Sequence, residues 1–196
     1  MTRVGVVACG ALAVHIRAIA RRRGFDVDVY PIDAVLHNRP ERIAPAVSEQ
    51  LERLRPRYDR LAVAYGDCGS HGALDEALRE AAVARLEGEN CYEIFAGAAG
   101  IAAALEQEPG TYFLTDFLAR TFEHTVIEQL GLDRHPELRD NYFGNYRRVV
   151  WLAQRPTAAT RAAAHRAAAL IGLPLEERPV GDSGLEQALE ALVEAA

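Results

Sequence analysis

The sequence predicts an α/β protein built as one domain: a doubly wound, Rossmann-like sheet of six to seven mostly parallel strands. Three observations carry this expectation. Short valine- and alanine-rich runs alternate with stretches of helical length along nearly the whole chain, the pattern of repeated βαβ units. Most of the runs are apolar throughout, as strands covered on both faces should be. Turn residues stand at most junctions, and no linker or low-complexity tract interrupts the 196 residues.

Each element follows in order. Residues 2–9 form a valine-rich strand ending at Cys9, and residues 10–24 an amphipathic helix closed by Gly24. Residues 25–32 give a second strand. The loop 33–40 carries His37 and places Pro40 in the first turn of the next helix. That helix, 40–55, shows Ile43, Val47, Leu51 and Leu54 on one face and stops before Pro56. A third strand, 61–65, runs into the turn Gly66-Asp67-Cys68-Gly69-Ser70-His71-Gly72 and then a helix. Residues 83–86 are a short fourth strand, after which Cys91 precedes an alanine-rich helix ending near Pro109. Residues 111–116 give a fifth strand, with Thr115 and Asp116 able to cap a helix over 117–130. Residues 131–147 break the alternation with polar and aromatic side chains and read as a lid or as an interface between copies of the chain. Strand 148–153, helix 157–171, strand 175–180 and a last helix after Gly184 complete the chain.

Composition narrows the function. The net charge is −6 and the basic residues are scattered, which argues against a nucleic-acid partner. No run of 18 apolar residues and no signal-peptide core occurs, so a cytoplasmic, non-membrane protein is expected. All 22 basic residues are arginines. Without lysine there is no P-loop lysine and no Schiff base for pyridoxal phosphate. No Gly-x-Gly-x-x-Gly follows the first strand, and no nucleotide cofactor is expected.

The three cysteines, Cys9, Cys68 and Cys91, are too few and too widely spaced for a disulfide framework. Each falls where a strand passes into a helix, hence on the sheet edge where α/β proteins bind ligands. Neighbouring strand ends lie about 4.8 Å apart, so the thiols can converge, and the helix N-termini are expected to lower their pKa values. The alternative for Cys68 is a buried thiol that merely fills a tight turn. Three thiolates with no obvious fourth ligand predict a metal centre with an open position, a [4Fe–4S] cluster slightly preferred over zinc because separate strands deliver the sulfurs. Gly10, Gly66 and Gly69 would let backbone approach the bound group. Asp67, His71, Glu93 and His37 lie close enough in sequence to handle a proton, although Asp67 or Glu93 could simply cap a helix. Tyr142, Asn145 and Arg147 of the 131–147 segment are candidates for binding an anionic or polar small substrate. A thiol enzyme, with Cys68 as nucleophile and His71 or His37 as base, is the metal-free competitor.

Taken together, the stretches Cys9-Gly-Ala-Leu12, His37-Asn-Arg-Pro-Glu41, Tyr65-Gly-Asp-Cys-Gly69, Cys91-Tyr-Glu93, Leu114-Thr-Asp116, Asp133-Arg-His-Pro-Glu-Leu-Arg139 and Tyr142-Phe-Gly-Asn-Tyr-Arg147 resemble a bacterial and archaeal family known as domain of unknown function number 1638. The resemblance spans nearly the whole chain. It implies cysteines at the three matching places in archaeal members and genes near corrinoid-dependent methyltransferases, hence one-carbon metabolism and a corrinoid protein or methyltransferase as partner. It assigns no catalytic residue. The chain lacks the Asp-x-His-x-x-Gly signature of corrinoid-binding modules, so it is expected to act beside such a protein: as an enzyme, as a zinc-thiolate methyl-transfer protein, or as a metal-delivery partner.

Overall fold

A computed structural model describes residues 3–196. The strands are all parallel, as expected, but they form two sheets rather than one of six or seven strands: four in the order β2-β1-β3-β4 and three in the order β5-β6-β7. The chain correspondingly divides into two compact units, residues 1–94 with 183–196, and residues 95–182. The alternation of strand and helix is the same in either arrangement, so the break between sheets left no mark on the pattern that predicted one.

In the first unit, β1 (Val4–Cys9) is buried at every residue and pairs with both β2 (Val27–Ile32) and β3 (Arg60–Ala64). Its helix α1 (Gly10–Arg23) ends at Gly24, whose φ of 72° closes the last turn. A 3-10 turn (Ala34–Asn38) and a second one (Pro40–Arg42) occupy the expected loop and helix start, and α2 begins only at Ile43 and runs to Leu54. Ile43, Val47, Leu51 and Leu54 are all buried. At roughly 2 kcal/mol for each large aliphatic side chain, this face holds the helix to the sheet. α3 (Ala73–Ala81) leads to the two-residue β4 (Ala84–Arg85), and α4 (Cys91–Ala96) follows. The closing helix Ser183–Ala195 returns to this unit, burying Leu185, Leu189 and Leu192.

The second unit begins at Phe95, within the last turn of α4, and its first whole element is α5 (Ala98–Gln107). The single alanine-rich helix expected here is broken at Gly97, whose φ of 75° lies outside the helical range. β5 (Thr111–Thr115) leads through the Thr115 cap, which accepts the Leu118 N–H, into α6 (Asp116–Phe122). A π-helical turn (Glu123–Ile127) then replaces the regular helix expected to 130. Residues 131–147 do not form a detached flap. Leu132 and Phe143 are buried in this unit's core, with Leu138 and Tyr146 packed against it; within the segment lie a 3-10 turn (Pro136–Leu138) and α7 (Arg139–Phe143). β6 (Arg148–Ala153), α8 (Ala158–Ile171) and β7 (Leu175–Pro179) match the expected elements closely. Asp116, fully buried, ties strand ends together: its carboxylate accepts Trp151 Nε1–H at 2.9 Å, Gln154 N–H at 3.2 Å and Arg155 N–H at 2.8 Å. Among the described residues, no helix is long and apolar enough to cross a membrane.

Candidate metal centre

The strand order of the first unit reverses between β1 and β3, since the chain goes from β1 outward to β2 and returns to the other side for β3. Such a switch point opens a crevice beyond the C-terminal strand ends. Ala8 lies opposite Ala64 in the parallel ladder, so Cys9, the last residue of β1, and Tyr65, the first beyond β3, are neighbours at this crevice. Pairing continues past the ends of β3 and β4: Asp67 N–H donates to Gly88 O at 3.3 Å and Cys68 N–H to Glu89 O at 2.7 Å. This extension zips the Cys68 turn to the segment that enters α4 at Cys91. It requires a glycine at 66, where a Cβ would sit 3.0 Å from the backbone N and Cα of Asn90 and from Glu89 O. Gly10 and Gly69 are likewise accounted for by the chain itself, Gly10 by its approach to Ile32 O and Gly69 by a φ of 83°.

The turn itself is strained and internally braced. Cys68 and His71 hold φ values of 50° and 53°, a conformation that costs an L-residue about 1 kcal/mol. Asp67 compensates. Its Oδ1 accepts the Ser70 hydroxyl at 2.6 Å and Gly72 N–H at 2.9 Å, and its Oδ2 accepts Gly69 N–H at 3.2 Å and His71 N–H at 3.1 Å. Burial raises the Asp67 pKa, but the Ser70 hydroxyl and the N–H groups of Gly72, His71 and Gly69 outweigh burial and hold the carboxyl below its ordinary value. Glu93 is engaged in a similar way. Asn90 Oδ1 accepts the N–H groups of Tyr92 and Glu93, while Glu93 Oε2 accepts Glu89 N–H at 3.0 Å, a reciprocal cap on α4.

A cleft of about 370 Å³ opens over the turn, walled by His37, Cys68, His71, Glu89, Cys91 and Tyr92 among others. His37 comes from the 3-10 turn after β2. Its ring stacks on Tyr65 with centroids 5.5 Å apart and planes 16° from parallel, and its Nδ1 lies 2.8 Å from Ala34 O. A carbonyl only accepts, so Nδ1 carries the proton and the neutral ring keeps Nε2 as a free base. Burial pulls its pKa below the usual imidazole value despite the opposing bond to Ala34. His71, by contrast, is exposed.

All three cysteines are free thiols: Cys9 is buried, Cys68 and Cys91 partly buried. The expected lowering of their pKa values is overturned. Burial pushes the Cys9 thiol up to about 11 against the N–H groups of Ala11 and Leu12 and the Tyr65 hydroxyl. Burial, then the neighbouring Cys9, pushes Cys68 up to about 12, and burial with Cys9 and Cys68 raises Cys91 well above its ordinary value. The helix-terminus effect is present in the Ala11 and Leu12 contacts, but desolvation is larger. Cys68 therefore senses Cys9, and Cys91 senses both, while burial is the largest cause at each sulfur. Among the described residues, however, no three His, Cys, Asp or Glu side chains stand where they could hold one metal ion.

The sequence reading passed over Tyr65 and Asn90. Tyr65 closes an otherwise aliphatic strand, and that lone hydroxyl at the end of a buried run was the available signal. Tyr142, Asn145 and Arg147 belong to the second unit. All three are exposed there, and the Arg147 guanidinium donates to the carbonyls of Gly144 and Tyr146.

No curated protein and no solved structure matches the chain. The model of the family described as "Protein of unknown function (DUF1638)" matches residues 31–189, a range that includes Cys68 and Cys91 and begins after Cys9. The chain belongs to that family.

Proposed function

We propose that Cys9, Cys68 and Cys91 bind a metal centre, a [4Fe–4S] cluster in preference to zinc, and that a small molecule reacts in the cleft above it. The observation that supports this most is that all the chain's thiols fall at strand-to-helix junctions of one unit, with Cys9 close enough to raise the pKa of Cys68 and both close enough to raise that of Cys91. Zinc would need the three sulfurs drawn into one tetrahedron at bonds of about 2.3 Å, and no group of that kind stands among the described residues. A four-iron cluster accepts a wider set, and three ligands leave one iron free. When bound, it supplies a Lewis-acidic position for a sulfur, oxygen or nitrogen of the substrate.

The chain's own groups divide the remaining work. Asp67 and Glu93 hold the turns that carry Cys68 and Cys91, and His37 Nε2 is the base available to take or return a substrate proton at the cleft wall. A partner in corrinoid-dependent methyl transfer is what the sequence resemblance implies, and metal delivery to such a partner is the non-catalytic form of the same reading.

Purification without oxygen, or reconstitution with ferrous iron and sulfide, tests the centre. Brown protein with about four irons and four sulfides per chain, lost on Cys68→Ser, is the expected result. Colourless protein holding one zinc replaces the cluster with the zinc form. Protein that stays metal-free under both treatments refutes the centre and favours Cys68 as a thiol nucleophile.

A further inference from the structure

Cys68 and Cys91 sit on two backbone segments that the sheet holds in register. Ala62 pairs with Ala84 and Val63 with Arg85 in the parallel ladder of β3 and β4. Carried forward at the same spacing, that register sets Cys68 beside Asn90, the residue before Cys91. The pairing does continue past the strand ends, since Asp67 N–H donates to Gly88 O at 3.3 Å and Cys68 N–H to Glu89 O at 2.7 Å. Paired backbones lie about 4.8 Å apart, and a disulfide takes Cα atoms about 4.4–6.8 Å apart. Both side chains line the same cleft, so both are reached from one opening. Cys9 is not part of that lining and is 2% exposed.

We infer that Cys68 and Cys91 are a redox pair, which a peroxide entering the cleft converts to a disulfide. Cys68 reacts first, because its turn is exposed at Gly69 and His71. Its sulfur attacks one peroxide oxygen and the O–O bond breaks; the departing hydroxide takes the Cys68 proton as water, and a sulfenic acid is left. The Cys91 sulfur then attacks the Cys68 sulfur, the S–O bond breaks, and the hydroxyl leaves with the Cys91 proton as a second water. Two electrons have passed from the sulfurs to the peroxide. Burial disfavours both thiolates, which slows the first step but also makes each sulfur a poor leaving group, so the finished bond resists reopening. The inference does not require the metal centre. While the bond exists neither sulfur can hold a metal or act as a nucleophile, and the site is silenced under either reading of it.

The test treats the chain, kept metal-free by a chelator, with a small excess of hydrogen peroxide. Remaining thiols are blocked with N-ethylmaleimide, and the digest is read by mass spectrometry with and without dithiothreitol. The expected product is a single chain two hydrogens lighter than the untreated protein, with Cys9 labelled and one peptide joining Cys68 to Cys91 that dithiothreitol separates. Its melting temperature should rise, because the bond closes a loop in the unfolded chain. Cys91→Ser should leave Cys68 as a sulfenic acid that dimedone captures. A link from either residue to Cys9, a link between two chains, or three unchanged thiols would overturn the pair. So would wild type carried on to a Cys68 sulfinic acid with Cys91 still free, which would show the second thiol out of reach. A linked product melting below the untreated protein would overturn it as well, since the bond would then form only by distorting the unit.

Discussion

Replacing Asp67 by Asn separates two uses of that carboxylate. As a proton carrier, Asp67 would lose turnover on amidation and keep its fold. The geometry assigns it a mechanical duty instead, because each oxygen accepts two hydrogen bonds from the turn that carries Cys68. An amide offers one oxygen. If its nitrogen takes the place of Oδ2, the N–H groups of Gly69 and His71 both face a donor. If it takes the place of Oδ1, Ser70 can turn its hydroxyl to accept, but Gly72 N–H is orphaned. The second arrangement is cheaper and still loses one charge-assisted bond, about 1.5–3 kcal/mol, and the charge that strengthened the others. Asp67→Asn should therefore destabilise the metal-free first unit by roughly 2–4 kcal/mol. Urea unfolding monitored by far-UV circular dichroism measures this, and the labelling rate of Cys68 by a thiol reagent should rise as the turn loosens. Stability within about 0.5 kcal/mol of wild type, the range of an ordinary surface change, combined with lost turnover would refute the mechanical account.

Two further outcomes follow from the same geometry. Gly66→Ala forces a methyl group to within 3.0 Å of the Asn90 and Glu89 backbone, so the extended ladder should open at a cost of about 1–3 kcal/mol, and metal uptake in reconstitution should fall even though no ligand has changed. In the second unit, Asp116→Ala strands two buried donors, Trp151 Nε1–H and Gln154 N–H, and removes the part-buried bond from Arg155 N–H; a loss of about 2–5 kcal/mol is expected in denaturant unfolding, with the Trp151 fluorescence as reporter.

The legible and illegible parts of this chain differ by the range of the interactions involved. Strand and helix positions came from local pattern, which is why α8 with its Thr157 cap and β6 fall where the sequence put them. The placement of the cysteines at strand-to-helix junctions was legible too, because it follows from chain order alone in a parallel sheet. Sheet membership was not: whether β5 pairs beside β4 or starts a second sheet depends on contacts between residues far apart in sequence. The thiol pKa values failed for a related reason. The helix-terminus effect can be read from a junction, whereas the desolvation that outweighs it depends on how deeply the folded chain buries each sulfur. Asp67 and Glu93 were assigned to chemistry on sequence proximity to the cysteines, and only the hydrogen bonds reveal that both are occupied in holding turns.

The depth of the three thiols sets an order of vulnerability. Cys68 and Cys91 form part of the cleft wall, while Cys9 is 2% exposed beneath the sheet edge. An oxidant or electrophile small enough to enter meets the outer pair first and reaches Cys9 only after that wall has moved. Injury to this site would thus begin where repair enzymes and small reductants also have access. The innermost sulfur is the last to be spent, and damage there would mark a molecule whose first unit had already opened.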